Sequence, residues 1–282
     1  MRNIRGKNAL VTGVASGIGR AVALRLAYEG VGLYLVDVDE AGLAATVADV
    51  RTIGAHVISQ RCDVGRPTDV SAVVADVLDR WNGVDILVNN AGITYYGHTD
   101  QMSDEHWDRL LRVNLYSHIQ FTRELLPSLL ERSEAHIVNV CSMFGLVGMP
   151  KLAAYCTTKF ALVGLSDALR AEYGRYGLGV TALCPGFVRT NLFTSAPLPE
   201  NAKGHKIPPR IFSTTPERVA AATVRAIRRN RRLVVVEPSA RFLCTLKRLA
   251  PGLIDFALHL GRRKRIARKI ALIDAEKRRA AA

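Results

Sequence analysis

Tyr155 and Lys159 lie four residues apart in Tyr155-Cys156-Thr157-Thr158-Lys159, and Ser142 precedes Tyr155 by thirteen residues. Four residues is about one helical turn, so the phenol and the ammonium share a helix face. An ordinary phenol titrates near ~10, and a lysine charge beside it favours the phenolate and lowers that value. A phenol so tuned exchanges a proton with an alcohol or a carbonyl near neutral pH. The Ser142 hydroxyl is a hydrogen-bond partner for the same substrate oxygen. Many helices carry this spacing as a solvated surface pair, so the chemistry depends on what the rest of the chain supplies.

A second group near the N-terminus supplies a candidate partner. Thr12-Gly13-Val14-Ala15-Ser16-Gly17-Ile18-Gly19 falls between a strand-like and a helix-like segment. Glycines there permit a tight turn and close backbone approach to a pyrophosphate. The helix that follows points its N–H groups at the anion. Asp37 closes the next strand, eighteen residues after Gly19. A carboxylate at that place accepts hydrogen bonds from ribose hydroxyls and repels a 2′-phosphate. Residues 34–50 hold no Arg or Lys that would welcome that phosphate, so NAD is expected rather than NADP. Asp63, after the third strand, is placed either to accept from the adenine amino group or to cap the next helix.

Short apolar runs alternate with helical patterns along the chain, with strands expected at 8–12, 33–37, 57–60, 86–89, 136–141, 180–184 and 233–236. Helices are expected at 17–29, 40–53, 68–80, 104–131, 153–175 and 216–230. This alternation predicts an α/β fold: a Rossmann-like doubly wound parallel sheet of about seven strands, with ligands at the carboxyl ends of the strands. At 282 residues and 49% hydrophobic, the chain can bury a full core. Its five cysteines form no C-x-x-C pair, which disfavours a disulfide framework or a zinc site and suits a reducing compartment. No metal site is expected. The opening residues run straight into the first strand with no secretory leader, and a cytoplasmic protein is expected.

Taken together, these residues resemble the short-chain dehydrogenase/reductase family over about residues 5–238. The resemblance rests on Thr12–Gly19 as T-G-x-x-x-G-x-G, Asn89-Asn90-Ala91-Gly92, Asn114, Ser142, Tyr155-x-x-x-Lys159 and Pro185-Gly186. It implies a catalytic tetrad of Asn114, Ser142, Tyr155 and Lys159. In that pattern Tyr155 is the proton donor or acceptor and Ser142 orients the substrate oxygen. Lys159 tunes the tyrosine and binds the nicotinamide ribose, and Asn114 holds a water in the proton relay. It further implies cofactor contacts from Gly13, Ser16, Gly17, Ile18, Gly19, Asp37, Asp63, Val64, Asn89, Ala91, Gly92, Pro185, Gly186, Val188 and Thr190, besides Tyr155 and Lys159. The implied activity is NAD(H)-dependent interconversion of a secondary alcohol and a ketone; reduction of an aldehyde or acyl-derived carbonyl, or a non-catalytic dinucleotide-binding role, are the alternatives. The helices at 104–131 and 153–175 resemble those that pair in family homodimers and homotetramers.

Residues 1–240 are expected to form the catalytic domain, with a substrate lid over about 190–215, where four prolines and a glycine interrupt regular patterning. Phe144, Leu146, Val147, Met149, Phe187, Leu192 and Phe193 suggest an apolar cleft wall and a hydrophobic substrate. Residues 241–282 form a basic extension holding twelve Lys/Arg and three Asp/Glu, +9 of the chain's net +14. Its apolar residues recur at helical spacing between the cations, a pattern of amphipathic helices that pack on protein or lie on an anionic membrane. A nucleic-acid partner is not expected, because the extension lacks interleaved aromatics.

Overall fold

A computed structural model describes residues 1–190, 192 and 213–259. The expected lid at 190–215 and the extension beyond 259 lie almost wholly outside the described residues. The chain divides into two units, Met1–Arg241 and Phe242–Ala282.

Seven parallel strands form one sheet: β1 (Asn8–Thr12), β2 (Gly32–Asp37), β3 (Val57–Arg61), β4 (Ile86–Asn89), β5 (Ala135–Val140), β6 (Leu178–Cys184) and β9 (Leu233–Val235), in the order β3-β2-β1-β4-β5-β6-β9. A separate two-stranded parallel pair joins β7 (Phe187–Val188) to β8 (Ser213–Thr214). Side chains alternate between the faces of the sheet. Ala9, Val11, Leu33, Leu35, Ile86, Val88 and Val138 point to one face, under α1 (Gly17–Tyr28), α2 (Glu40–Thr52) and α7 (Pro216–Arg228). Leu10, Tyr34, Val36, Leu87 and Ile137 point to the other, under α3 (Pro67–Trp81), α5 (Ser117–Leu130) and α6 (Ala153–Tyr173). Both faces are covered, which explains why these strands read as continuous apolar runs. Sequence-adjacent strands run outward in opposite directions from β1 and β4, and the crevice at their carboxyl ends is where such sheets bind ligands.

The single helix expected over 104–131 is broken. α4 (Asp104–Leu111) passes into a π turn at Arg112–Tyr116 before α5 begins. A π turn slips the hydrogen-bond ladder by one residue, and a 3.6-residue apolar period is too coarse to register that slip. Among the described residues no helix is long and apolar enough to cross a membrane. The last helices are α8 (Pro238–Leu249) and α9 (Pro251–His259).

Candidate active site

The loops that leave β1 and β4 are stitched side by side. The Thr12 hydroxyl accepts the backbone N–H groups of Asn90 (3.0 Å) and Ala91 (2.9 Å), while the Asn90 amide donates to the carbonyls of Thr12 (2.8 Å) and Gly13 (2.9 Å). Gly13 has φ +71°, and a Cβ there would stand 2.7 Å from Ala91 Cα; both facts require glycine. Gly19 packs so closely under Gly13 that a Cβ would collide with its carbonyl oxygen. Gly19 therefore shapes the turn from beneath, while Gly13, Ser16, Gly17 and Ile18 line the cavity above it. That cavity has a volume of about 620 Å3.

Asp37 reaches the cavity from the end of β2, its two oxygens accepting the backbone N–H groups of Ala15 (2.8 Å) and Asp39 (3.0 Å). These bonds fix the carboxylate at the mouth of the glycine turn. Asp63 and Val64 also line the cavity. The Asp63 side chain accepts from Gly65 N–H (3.0 Å). The residue capping α3 is Arg66, so the helix-cap alternative for the Asp63 carboxylate does not hold.

At the other end, Ser142, Tyr155 and Lys159 line the same cavity and are nearly enclosed by protein, at 5%, 5% and 3% exposure. Ser142 leaves β5 just before a 3₁₀ turn, and its Oγ accepts Phe144 N–H at 3.1 Å. Its hydroxyl also bonds the Tyr155 phenol. The Lys159 ammonium donates to the Val140 carbonyl at 2.8 Å and lies 5.6 Å from the centre of the Tyr155 ring. The electrostatics differ from the simple expectation. Burial pushes the Tyr155 phenol above its ordinary value, against the pull of the Ser142 hydrogen bond. Burial likewise lowers Lys159 to about 8. In the protein alone, desolvation outweighs the mutual tuning that the helical spacing suggests.

Asn114, in the π turn, does not reach the cavity. Its Oδ1 accepts Ile93 N–H and its Nδ2 donates to Ile93 O, both at 2.8 Å, and Nδ2 also meets Thr158 Oγ1 at 3.3 Å. Its side chain joins the loop after β4 to α6. Asn89 is a second correction. It is fully buried under the sheet edge and bonds Asn139 at 3.0 Å, whereas its neighbours Asn90, Ala91 and Gly92 line the cavity.

The turn after β6 contributes Pro185, Gly186, Val188 and Thr190 to the lining. Sequence reasoning missed what holds it. The Glu237 carboxylate, beyond β9, accepts Gly186 N–H at 2.5 Å, while its other oxygen is buried without a hydrogen-bond partner. Burial raises the pKa of this carboxyl. Nothing in the local sequence marks Glu237, because its partner lies 51 residues away.

The apolar wall expected after Ser142 is also revised. Phe144 and Val147 are buried, Phe144 stacking edge-on against Phe187 with centroids 5.5 Å apart, and Met149 is exposed. Of that group only Leu192 lines the cavity, and Phe193 lies outside the described residues. The wall comes instead from Ile93, Thr94 and Tyr95 and from His106, Arg109 and Leu110 of α4. Tyr95 and His106 pack with ring centres 5.3 Å apart, and the His106 Nδ1 lies 2.7 Å from Ser103 Oγ.

The sequence model of the family described as short chain dehydrogenase matches residues 7–201. The chain belongs to this family. It is 34% identical over 255 residues to a Mycobacterium tuberculosis protein named "Putative oxidoreductase SadH", covering 88% of this chain and 92% of the relative. It is 39% identical over 189 residues to a Streptomyces coelicolor "Putative ketoacyl reductase", covering 66% and 72%. The fold superposes on a crystal structure of a short-chain dehydrogenase/reductase from Burkholderia phymatum in complex with NAD. The TM-score is 0.79 at 31% identity, over 90% of this chain and 96% of that one.

The protein is thus a short-chain oxidoreductase that binds a nicotinamide dinucleotide, and its residues fit one. The side-chain-free cradle at Gly13 and the opening helix α1 suit a pyrophosphate, and the carboxylate of Asp37 suits a ribose. Pro185, Gly186 and Val188 border the far end, beside Tyr155 and Lys159.

Proposed function

We propose that the protein is an NAD(H)-dependent oxidoreductase interconverting a secondary alcohol and a ketone, with Tyr155 as its acid–base group. The observation that carries this reading is the Ser142–Tyr155 hydrogen-bonded pair, set in the cavity that Asp37 closes at its opposite end. The cofactor supplies the hydride chemistry when bound. Ser142 holds the substrate oxygen, and Tyr155 moves a proton to or from it. Lys159, anchored on Val140, is placed to contact the nicotinamide ribose, and its positive charge favours phenolate at Tyr155. Asn114 acts through position, tying the loop that bears Ile93 to the helix that bears Tyr155. NAD is preferred to NADP because Asp37 and Asp39 both border the ribose end of the cavity.

The substrate class follows from the wall. Ile93, Tyr95, Leu110 and Leu192 suit a bulky apolar body, and a hydrophobic alcohol or ketone is the reading they support. A second reading, an acyl-derived carbonyl, is favoured by the name of the Streptomyces relative and by the polar His106 and Arg109 on the same wall. A homodimer or homotetramer is supported by exposed Tyr116 and Phe160, which lie just before α5 and on α6.

A panel of hydrophobic alcohols, ketones and ketoacyl thioesters, followed by NADH absorbance with NADPH in parallel, tests the reading. Tyr155→Phe should lower turnover on the active substrate by ~10²–10⁴-fold, with NADH binding by fluorescence nearly unchanged. Retained turnover in that variant would remove Tyr155 from the chemistry.

A further inference from the structure

The described chain leaves a concentrated apolar surface at its C-terminal end. Phe242 and Leu249 of α8 are 70% and 78% exposed, and Leu253 and Phe256 of α9 are 58% and 67% exposed. The described large hydrophobic residues outside this stretch that are more than half exposed are all tyrosines, Tyr28, Tyr116 and Tyr176, whose hydroxyls suit them to water. Phe242 and Leu249 are seven residues apart, two helical turns, and share a face of α8; Leu253 and Phe256, three apart, share a face of α9.

The sequence from this stretch to the C-terminus is strongly basic. Arg241, Lys247 and Arg248 accompany the apolar residues, and residues 241–282 together carry +9. Three kinds of occupant can be weighed against these two facts. A second copy of the chain would set +9 against +9, and repulsion opposes it. A polynucleotide would use the cations and leave two phenylalanines and two leucines in water, without the interleaved stacking that such partners use. An anionic bilayer uses both: cations at the headgroups, Phe and Leu side chains at the acyl boundary.

We propose that α8 and α9 dock the protein onto an anionic lipid surface. The proposal does not depend on the catalytic reading, because it rests on residues outside the cavity.

The test is sedimentation of the full chain with vesicles of phosphatidylcholine alone and with vesicles containing about 30% phosphatidylglycerol. The comparison variant changes Phe242, Leu249, Leu253 and Phe256 to serine in the full chain. These side chains are exposed, so the fold should persist, and unchanged NADH binding verifies it. The wild-type chain should partition onto the anionic vesicles, weaken as salt rises, and stay in solution with neutral ones. The serine variant should lose at least ~10-fold of the partition. The proposal is overturned if the wild type ignores both vesicle types, if it binds neutral and anionic vesicles alike, or if the serine variant binds as well as the wild type. A wild-type dimer by light scattering that the serine variant loses, without vesicle binding, would assign the face to a second copy.

Discussion

Lys159→Met offers the sharpest check on the electrostatics of the site. The ammonium is 3% exposed, and burial lowers its pKa from the ordinary 10.5 to about 8. Because the folded value lies below the unfolded one, the unfolded chain holds more protons through the interval between them. Stability therefore rises with pH across that interval. At about 1.4 kcal/mol per unit, holding this lysine in the fold costs about 3 kcal/mol at pH 7 and about 1 kcal/mol at pH 9.5. The wild type should gain about 2 kcal/mol relative to Lys159→Met over that window. Methionine also leaves the Val140 carbonyl without its 2.8 Å donor. That penalty, about 1–3 kcal/mol, does not vary with pH and drops out of the slope. His118, lowered to about 3 by burial and by the Lys159 charge, is neutral throughout the window, and Tyr155, raised by burial, keeps its proton. Urea unfolding of both proteins without cofactor, at several pH values, gives the difference curve directly. A flat curve would mean that Lys159 is not held in a desolvated site.

Two further substitutions probe the ends of the cavity. Asp37→Ala should shift the ratio of kcat/KM for NADH over NADPH toward NADPH by at least ~10-fold. It should also weaken NADH itself, because the carboxylate accepts Ala15 N–H at the mouth of the turn; an unchanged ratio would remove Asp37 as the discriminator. Glu237→Ala should raise the cofactor KM by ~5–10-fold by leaving Gly186 N–H without its acceptor, with kcat changed less. Glu237→Gln, which retains an acceptor oxygen, should stay within about twofold of wild type. Equal KM values in all three proteins would show that the turn does not rely on this carboxylate.

The comparison of sequence and structure divides by the range of the interaction. Strand and helix placement was legible because both faces of the sheet are buried and the helices alternate regularly with the strands. All seven sheet strands agree with the expected positions to within two residues at either end, and all but β6 to within one. The glycine turn, Asp37 and the Tyr155–Lys159 spacing were legible for a related reason: each depends on local backbone geometry or on one helical turn. The features that escaped are set by contacts across the fold. The side chain of Asn114 serves Ile93 because a π turn, invisible to periodicity, rotates it toward the loop. Asn89 and Asn90 are neighbours in one motif. Strand alternation buries the first against Asn139 and turns the second toward Gly13. Phe144 follows Ser142 by two residues, yet it turns into the core to meet Phe187, so the wall facing Tyr155 comes from α4 and the loop after β4. These displacements share a consequence for substrate choice. In the proposed reading the chemistry falls to Ser142, Tyr155 and Lys159, whereas the facing cavity wall, proposed to meet the rest of the substrate, is built from Tyr95, His106, Arg109 and Leu110. Substitution there can retune specificity while leaving Ser142, Tyr155 and Lys159 where they are.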